Sequence, residues 1–231
     1  MGPKLERTLL SQKISVDSKI IGILSVLILI GIHFLNHHLF MANGNLVFSQ
    51  GEYWRAFLSS LIHADYKHLG TNSVYFFILA VLLHNYFGNF IFPLLSIFMG
   101  FIINLVTLYF YPPQTYLLGI SGVVYFMGAF WLAMYVLIER GRPVHHRLII
   151  ATGMFLIFFA PHAVIEEDVS YLAHGVGFGF GLFFGIMTFF LRRDEIRSEE
   201  VWRERKSSPP LWEDQVFEDE STHTSVGDDL L

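Results

Sequence analysis

The 231-residue chain has no cysteine, which removes disulfide frameworks, thiolate nucleophiles and thiolate metal sites together. Charge is scarce too. Asp, Glu, Lys and Arg make up 15% of the residues, where a soluble domain carries about 25%. Against this stand 53% hydrophobic and 16% aromatic residues, with 24 Phe among them. Too little polar surface remains to cover a water-facing globule, so a solvated nucleic-acid binder and a disordered chain are both excluded. The formal charge of −5 belongs to one end: from Arg192 to Leu231 there are twelve acids against six bases. The remainder is nearly neutral, so the acidity says nothing about what the core binds.

Long apolar runs are what the chain does have. A helix needs roughly 20 mostly apolar residues to cross about 30 Å of hydrocarbon. Six stretches qualify, at about 20–40, 68–87, 90–110, 119–138, 148–165 and 169–191. The first and last are the clearest, since neither Ile20–Leu35 nor Val169–Leu191 contains a charge. The fifth is the weakest, because Pro161 and His162 interrupt its end. A soluble helical core does not fit, since its helices would alternate polar and apolar faces. The first run is also too long for a signal peptide, and no small-residue cleavage site follows it. The expected fold is therefore an all-α polytopic membrane protein of six spans.

Lys and Arg set the expected direction. With an inner N-terminus, thirteen of the fifteen basic residues fall inside and only Arg55 and Lys67 outside. Both termini are then cytoplasmic. The expected domains are an N-terminal tail over 1–19, a six-span core over 20–191 and an acidic, disordered tail over 192–231. Within the core, a long outer loop over 41–67 carries Phe48, Tyr53, Trp54 and Phe57 and lies in the interface.

Polar groups at membrane depth are costly and mark function. Span 2 opens with His68 and Asn72, four apart and hence on one face. Span 4 opens with Gly119-Ile120-Ser121-Gly122, and span 6 carries His174 shortly after its start. All three spans run inward, so these groups share a shallow depth under the outer surface. A serine hydroxyl needs a base to become a nucleophile, and a neutral imidazole is the usual one. Ser121 and His174 sit on different helices, so only packing of spans 4 and 6 can join them. Ala173, Gly177, Gly181 and Gly185 recur every four residues and let two backbones approach. Free N–H groups at the start of span 4, with His68 and Asn72, could hold a negative oxygen. No carboxylate is placed deep near His174, so a Ser–His dyad is the economical arrangement. Asn104 in span 3 is explained as a helix-packing amide.

These blocks resemble the rhomboid family of intramembrane serine proteases over about residues 50–190. The resemblance is carried by Glu52-x-Trp54-Arg55, His63-x4-His68-x3-Asn72, Gly119-x-Ser121-Gly122 and Ala173-His174-x-x-Gly177-x3-Gly181. It implies a six-helix rhomboid-like bundle with Ser121 as nucleophile and His174 as general base. His68, Asn72 and the Ser121 backbone N–H would stabilise the oxyanion, and Tyr125 would stack on the imidazole. Trp54, Arg55 and His63 would support the first loop. Span 5 and the loop before span 6 would form a mobile substrate entry. The implied reaction is hydrolysis of a peptide bond in or beside the transmembrane helix of a single-span or polytopic membrane protein, with no metal or other cofactor. The short termini resemble bacterial members, which implies the inner membrane.

Other chemistries fail on residue type. A zinc protease needs His-Glu-x-x-His, and no His here precedes a Glu. An aspartyl protease needs two Asp at depth, whereas Asp65 and Asp168 lie at loop edges. The soluble hydrolase pattern Gly-x-Ser-x-Gly is broken by Val123. A transporter would need polar groups through the inner halves of the spans. The alternative from another class is a rhomboid-like protein that binds membrane clients without cutting them. Such relatives lack Ser or His, and this chain keeps both.

Overall fold

A computed structural model describes residues 3–35, 37–159 and 170–204, leaving aside the side chains of 37, 38, 158 and 159. The Pro161-broken end of span 5, the loop acids Glu166, Glu167 and Asp168, and the tail from 205 onward lie outside the described residues.

The chain is mostly helical. Helix α1 spans Val16–His33, α2 His37–Phe40, α3 Trp54–Leu58, α4 Tyr66–Phe87 and α5 Ser96–Phe110. Then follow α6 (Ser121–Ile138), α7 (Val144–Phe159), α8 (Tyr171–Leu191) and α9 (Arg193–Ser198). Among the described residues, four helical stretches are long and apolar enough to cross a bilayer: Val16–His33, Phe90–Phe110, Ser121–Ile138 and Tyr171–Leu191. Helix α4 is longer than α1, at 22 residues, but Lys67, His68, Asn72, His84 and Asn85 dilute its apolar character. Helix α7 is described over 16 residues.

Local chemistry sets the helix ends. The Ser15 hydroxyl accepts the Ser18 N–H at 3.1 Å and starts α1. The Asp65 carboxylate accepts the His68 N–H at 2.8 Å and starts α4, and the Ser170 hydroxyl accepts the Ala173 N–H at 3.2 Å and starts α8. Each satisfies an N–H that the helix itself cannot. Helix α4 ends at Gly88, whose φ of 78° closes the helix in a conformation that costs glycine little.

Helix α6 is the central post. Some 78% of its membrane-length window is buried, against 22% for α1. Its tightest neighbour is α8. A Cβ at Gly185 would lie 2.9 Å from the Ala133 Cβ and 3.0 Å from the Phe130 carbonyl oxygen. At Gly177 and Gly181 the fit is closer still, because the added carbon would collide with the carbonyls of Gly122 and Phe126. Backbone meets backbone along this seam, and a side chain on either glycine is excluded. Helix α1 packs on α4, where a Cβ at Gly22 would reach within 2.6 Å of Val81. The buried Asn104 amide of α5 donates to the Ala56 carbonyl at 3.1 Å and to the Ser59 hydroxyl at 3.0 Å, fastening the first loop to the bundle.

Two features differ from the sequence expectation. The all-helical fold has an exception, since β1 (Lys4–Arg7) pairs antiparallel with β2 (Val201–Arg203). For the same reason the tail is not disordered from Arg192 onward: α9 and β2 are ordered as far as 204. Among its charges, Glu195 pairs with Arg192 and Glu200 with Arg140. Arg140, in the turn after α6, meets Glu200 through two N–H···O bonds, one of them 2.7 Å from Nε to Oε1. The same guanidinium lies 5.4 Å from the Trp202 ring centroid, and this bidentate pairing holds the Glu200 carboxyl below its usual range.

Candidate functional site

The N-termini of α4, α6 and α8 lie at one end of the bundle, opposite the β1–β2 pair, and the residues singled out in the sequence gather there. Gly119 turns the chain into α6 with φ of 109°, a conformation that disfavours a side chain. Its N–H donates to the Ser59 carbonyl at 2.9 Å, and the Leu117 N–H donates to the Ala42 carbonyl at 2.8 Å. The loop entering α6 is thus sewn to the first loop. Ile120 occupies the cap position and has no side-chain acceptor for the first N–H groups of α6. Those dipoles point out of the helix beside Ser121, ready for a negative oxygen.

His68 and Asn72 approach from α4. A Cβ on Gly119 would meet the His68 ring at 3.3 Å (Cε1) and 3.7 Å (Nε2), so the imidazole lies directly against this turn. Asn72, one helical turn along, is 1% exposed. Its Nδ2 is buried with no hydrogen-bond partner among the described residues. A buried amide donor in that state costs about 1–3 kcal/mol and calls for an explanation. The Ser73 hydroxyl beside it is in the same condition.

His174 approaches from α8 and is 6% exposed. Its ring stacks on Tyr125 with centroids 4.0 Å apart and planes 9° from parallel. Tyr171 meets it edge-on at 6.3 Å, and the Tyr111 hydroxyl bonds the Ser170 cap at 2.8 Å. Tyr125 follows Ser121 by four residues, so both stand on one face of α6. The register across the seam agrees. A Cβ at Gly122 would lie 3.4 Å from the Ala173 carbonyl oxygen and 3.7 Å from its Cβ. Ser121 and His174, each the chain neighbour of one of these, therefore stand at the same level on facing helices.

Of the remaining residues, Trp54 and Arg55 lie in the first loop and His63 reaches the His68 ring. Arg55 pairs with Glu52, donates to the Leu39 carbonyl and to the Met41 carbonyl (3.2 Å for the latter), and lies 4.6 Å from the Trp54 ring centroid. His63 is 1% exposed and meets the His68 ring edge-on at 5.4 Å. Sequence reasoning missed His33 and Tyr66, whose rings lie 5.2 Å apart, with His33 6.4 Å from His63. His33 ends an apolar run and matches no motif. Tyr171 was overlooked too, although its spacing of three residues from His174 puts it on the same helix face.

Residues 50–190 match the sequence model of the rhomboid domain. The chain is also 30% identical, over 151 residues, to the "Putative rhomboid protease YdcA" of Bacillus subtilis (strain 168), covering 64% of this chain and 71% of that relative.

Proposed function

The chain belongs to the rhomboid family of integral membrane proteins, and from that premise we propose that it is an intramembrane serine endopeptidase. Its core crosses the bilayer six times, with α4 and α7 completing the four more apolar stretches. Both termini are cytoplasmic and the membrane is a bacterial inner membrane. The substrates are membrane proteins cut in or next to a transmembrane helix.

The reaction follows from the groups at the α6–α8 seam. His174 takes the Ser121 proton, and the oxygen attacks the scissile carbonyl to form a tetrahedral adduct. The negative oxygen is received by the Ser121 backbone N–H, the His68 imidazole and the Asn72 amide, which explains why a buried Asn72 donor is kept without an internal partner. The imidazolium then gives its proton to the leaving amine. Water, deprotonated by the same imidazole, releases the acyl group from Ser121. Tyr125 fixes the plane of the ring, so that its nitrogens stay aimed through each proton transfer.

The observation that carries this reading is the His174 ring stacked at 4.0 Å on Tyr125, one turn beyond Ser121 and at the level set by the Gly122–Ala173 approach. The test compares purified wild type with Ser121→Ala in detergent, each incubated with a generic single-span substrate. Cleavage by the first and none by the second is expected. Equal product from both would place the nucleophile elsewhere.

A further inference from the structure

The base of the proposed reaction sits close to the open end of its helix. His174 is the fourth residue of α8, and the nearest seam glycine of that helix, Gly177, lies most of a turn further in. The first turn of a helix has no internal partners for its N–H groups and frays unless something else supplies them. Ser170 supplies them here. Its hydroxyl accepts the Ala173 N–H at 3.2 Å, and its carbonyl accepts the His174 N–H at 3.2 Å. Where Ser170 sits therefore decides where the imidazole sits along the seam.

Ser170 is itself held from outside α8. Its hydroxyl is hydrogen-bonded at 2.8 Å to that of Tyr111, which caps the end of α5. Pro112 pushes the residue before it out of helical backbone, and Tyr111 stands there with φ of −86° and ψ of 156°. Its N–H still donates to the Thr107 carbonyl at 3.1 Å. Two residues on, the Pro113 carbonyl accepts the Asn45 N–H at 3.0 Å, and a Cβ at Gly44 would lie 3.1 Å from the Pro113 Cα. Tyr111 thus belongs to a frame of α5 and the first loop. The same loop holds the turn into α6 through Ser59 and Gly119.

We propose, on the serine-protease reading above, that Tyr111 is a positioning residue for proteolysis. Through Ser170 it holds the first turn of α8 at the height where the His174 imidazole serves Ser121. The glycine seam sets how closely the two helices approach. The Tyr111–Ser170 link sets how far along that seam the base stands, a matter of tenths of an ångström for proton transfer.

Two rates test this in the purified full-length chain: turnover of a generic single-span substrate, and labelling of Ser121 by a fluorophosphonate. Tyr111→Phe removes one hydroxyl and keeps the ring. It is expected to lower kcat and the labelling rate together, about five- to tenfold, as one well-placed hydrogen bond would, with KM and the thermal midpoint unchanged. Ser170→Gly caps a helix nearly as well but offers Tyr111 no hydroxyl, so it should show the same loss. Combining the two should cost nothing further, since both cut one link. Ser170→Thr keeps a hydroxyl and should retain most of the rate. Labelling of Tyr111→Phe as fast as wild type would overturn the proposal, as would losses that multiply in the double variant. So would slower rates matched by a lower thermal midpoint, the mark of a purely structural contact. A wild type that neither cleaves nor labels at Ser121 would instead overturn the protease reading, and the proposal with it. If Tyr111→Phe fails to fold, Ser170→Gly against Ser170→Thr decides from the other side of the link.

Discussion

Two helices flank α6 in opposite ways. Helix α8 meets it through glycines, so close that the backbones themselves set the separation. Helix α7 meets it through a small cluster around Leu132 and Ala151, with Met154 and Phe155 packed alongside. Phe155 meets Phe178 of α8 edge-on, with ring centroids 5.3 Å apart. Leu148, Ile149, Leu156 and Ile157 on α7 are at least half exposed, as suits lipid, and among the described residues no atom lies near where a Gly153 Cβ would go. The first contact is rigid and fixes distances to tenths of an ångström, which nucleophile and base require. The second rests on a few interdigitating rings and can part without disturbing the first. On the proposed function, chemistry would lie on the α8 side of this helix and substrate entry on the α7 side.

Substitutions that add volume should break this contrast most strongly. Gly181→Val would drive a side chain into the Phe126 carbonyl. It is expected to cost at least about 3 kcal/mol and abolish cleavage, measured by thermal unfolding and turnover. Gly153→Ala, with nothing near its new methyl, should leave both within about 1 kcal/mol of wild type. Next in size is Asn72→Ala. On the proposed mechanism its buried amide serves the transition state, so kcat should fall about a hundredfold with KM little changed. A KM effect alone would remove Asn72 from that role.

Tyr125→Ala should lower kcat up to about tenfold, in line with a ring pair of about 0.5–1.5 kcal/mol. Tyr125→Phe keeps the stacked face and should restore most of the rate. On the α7 side the sign reverses: Phe155→Ala loosens the entry and should raise turnover about two- to threefold while the seam stays intact. A fall in turnover would mean that α7 is part of the rigid frame. Smallest is the Asp65 cap. Its carboxyl sits below the usual range because it accepts the His68 N–H. The folded state therefore favours the ionised form. The cap contributes fully above the ordinary carboxylate pKa of about 4 and is lost as pH falls through the lower folded value. At most about 1 kcal/mol should disappear in acid unfolding curves, and Asp65→Asn should flatten that loss.

Much of the seam and its end was readable beforehand. Hydropathy is a property of whole segments, so the positions of the long apolar helices followed from the one-dimensional pattern, with His68, Ser121 and His174 near helix starts. The glycine stripe on α8 was visible for the same reason, because four-residue spacing maps onto one helix face. What stayed hidden depends on distant pairing. The strands at Lys4–Arg7 and Val201–Arg203 are too short and too charged to announce themselves, and exist because each supplies the other's hydrogen bonds. Glu200 looked like part of a solvated acidic run until Arg140 was found beside it. His33 and Tyr66 gave no signal, since a ring contact between the end of one helix and the start of another has no sequence period.

Labelling with a fluorophosphonate asks directly whether the α6 hydroxyl is activated by the α8 imidazole, and it needs no substrate. Intact-mass and peptide analysis of the wild type should show a single phosphonyl adduct on the peptide containing Ser121, and His174→Ala should react at least about a thousandfold more slowly. An adduct on another residue, or equally fast labelling of Ser121 without His174, would contradict the account.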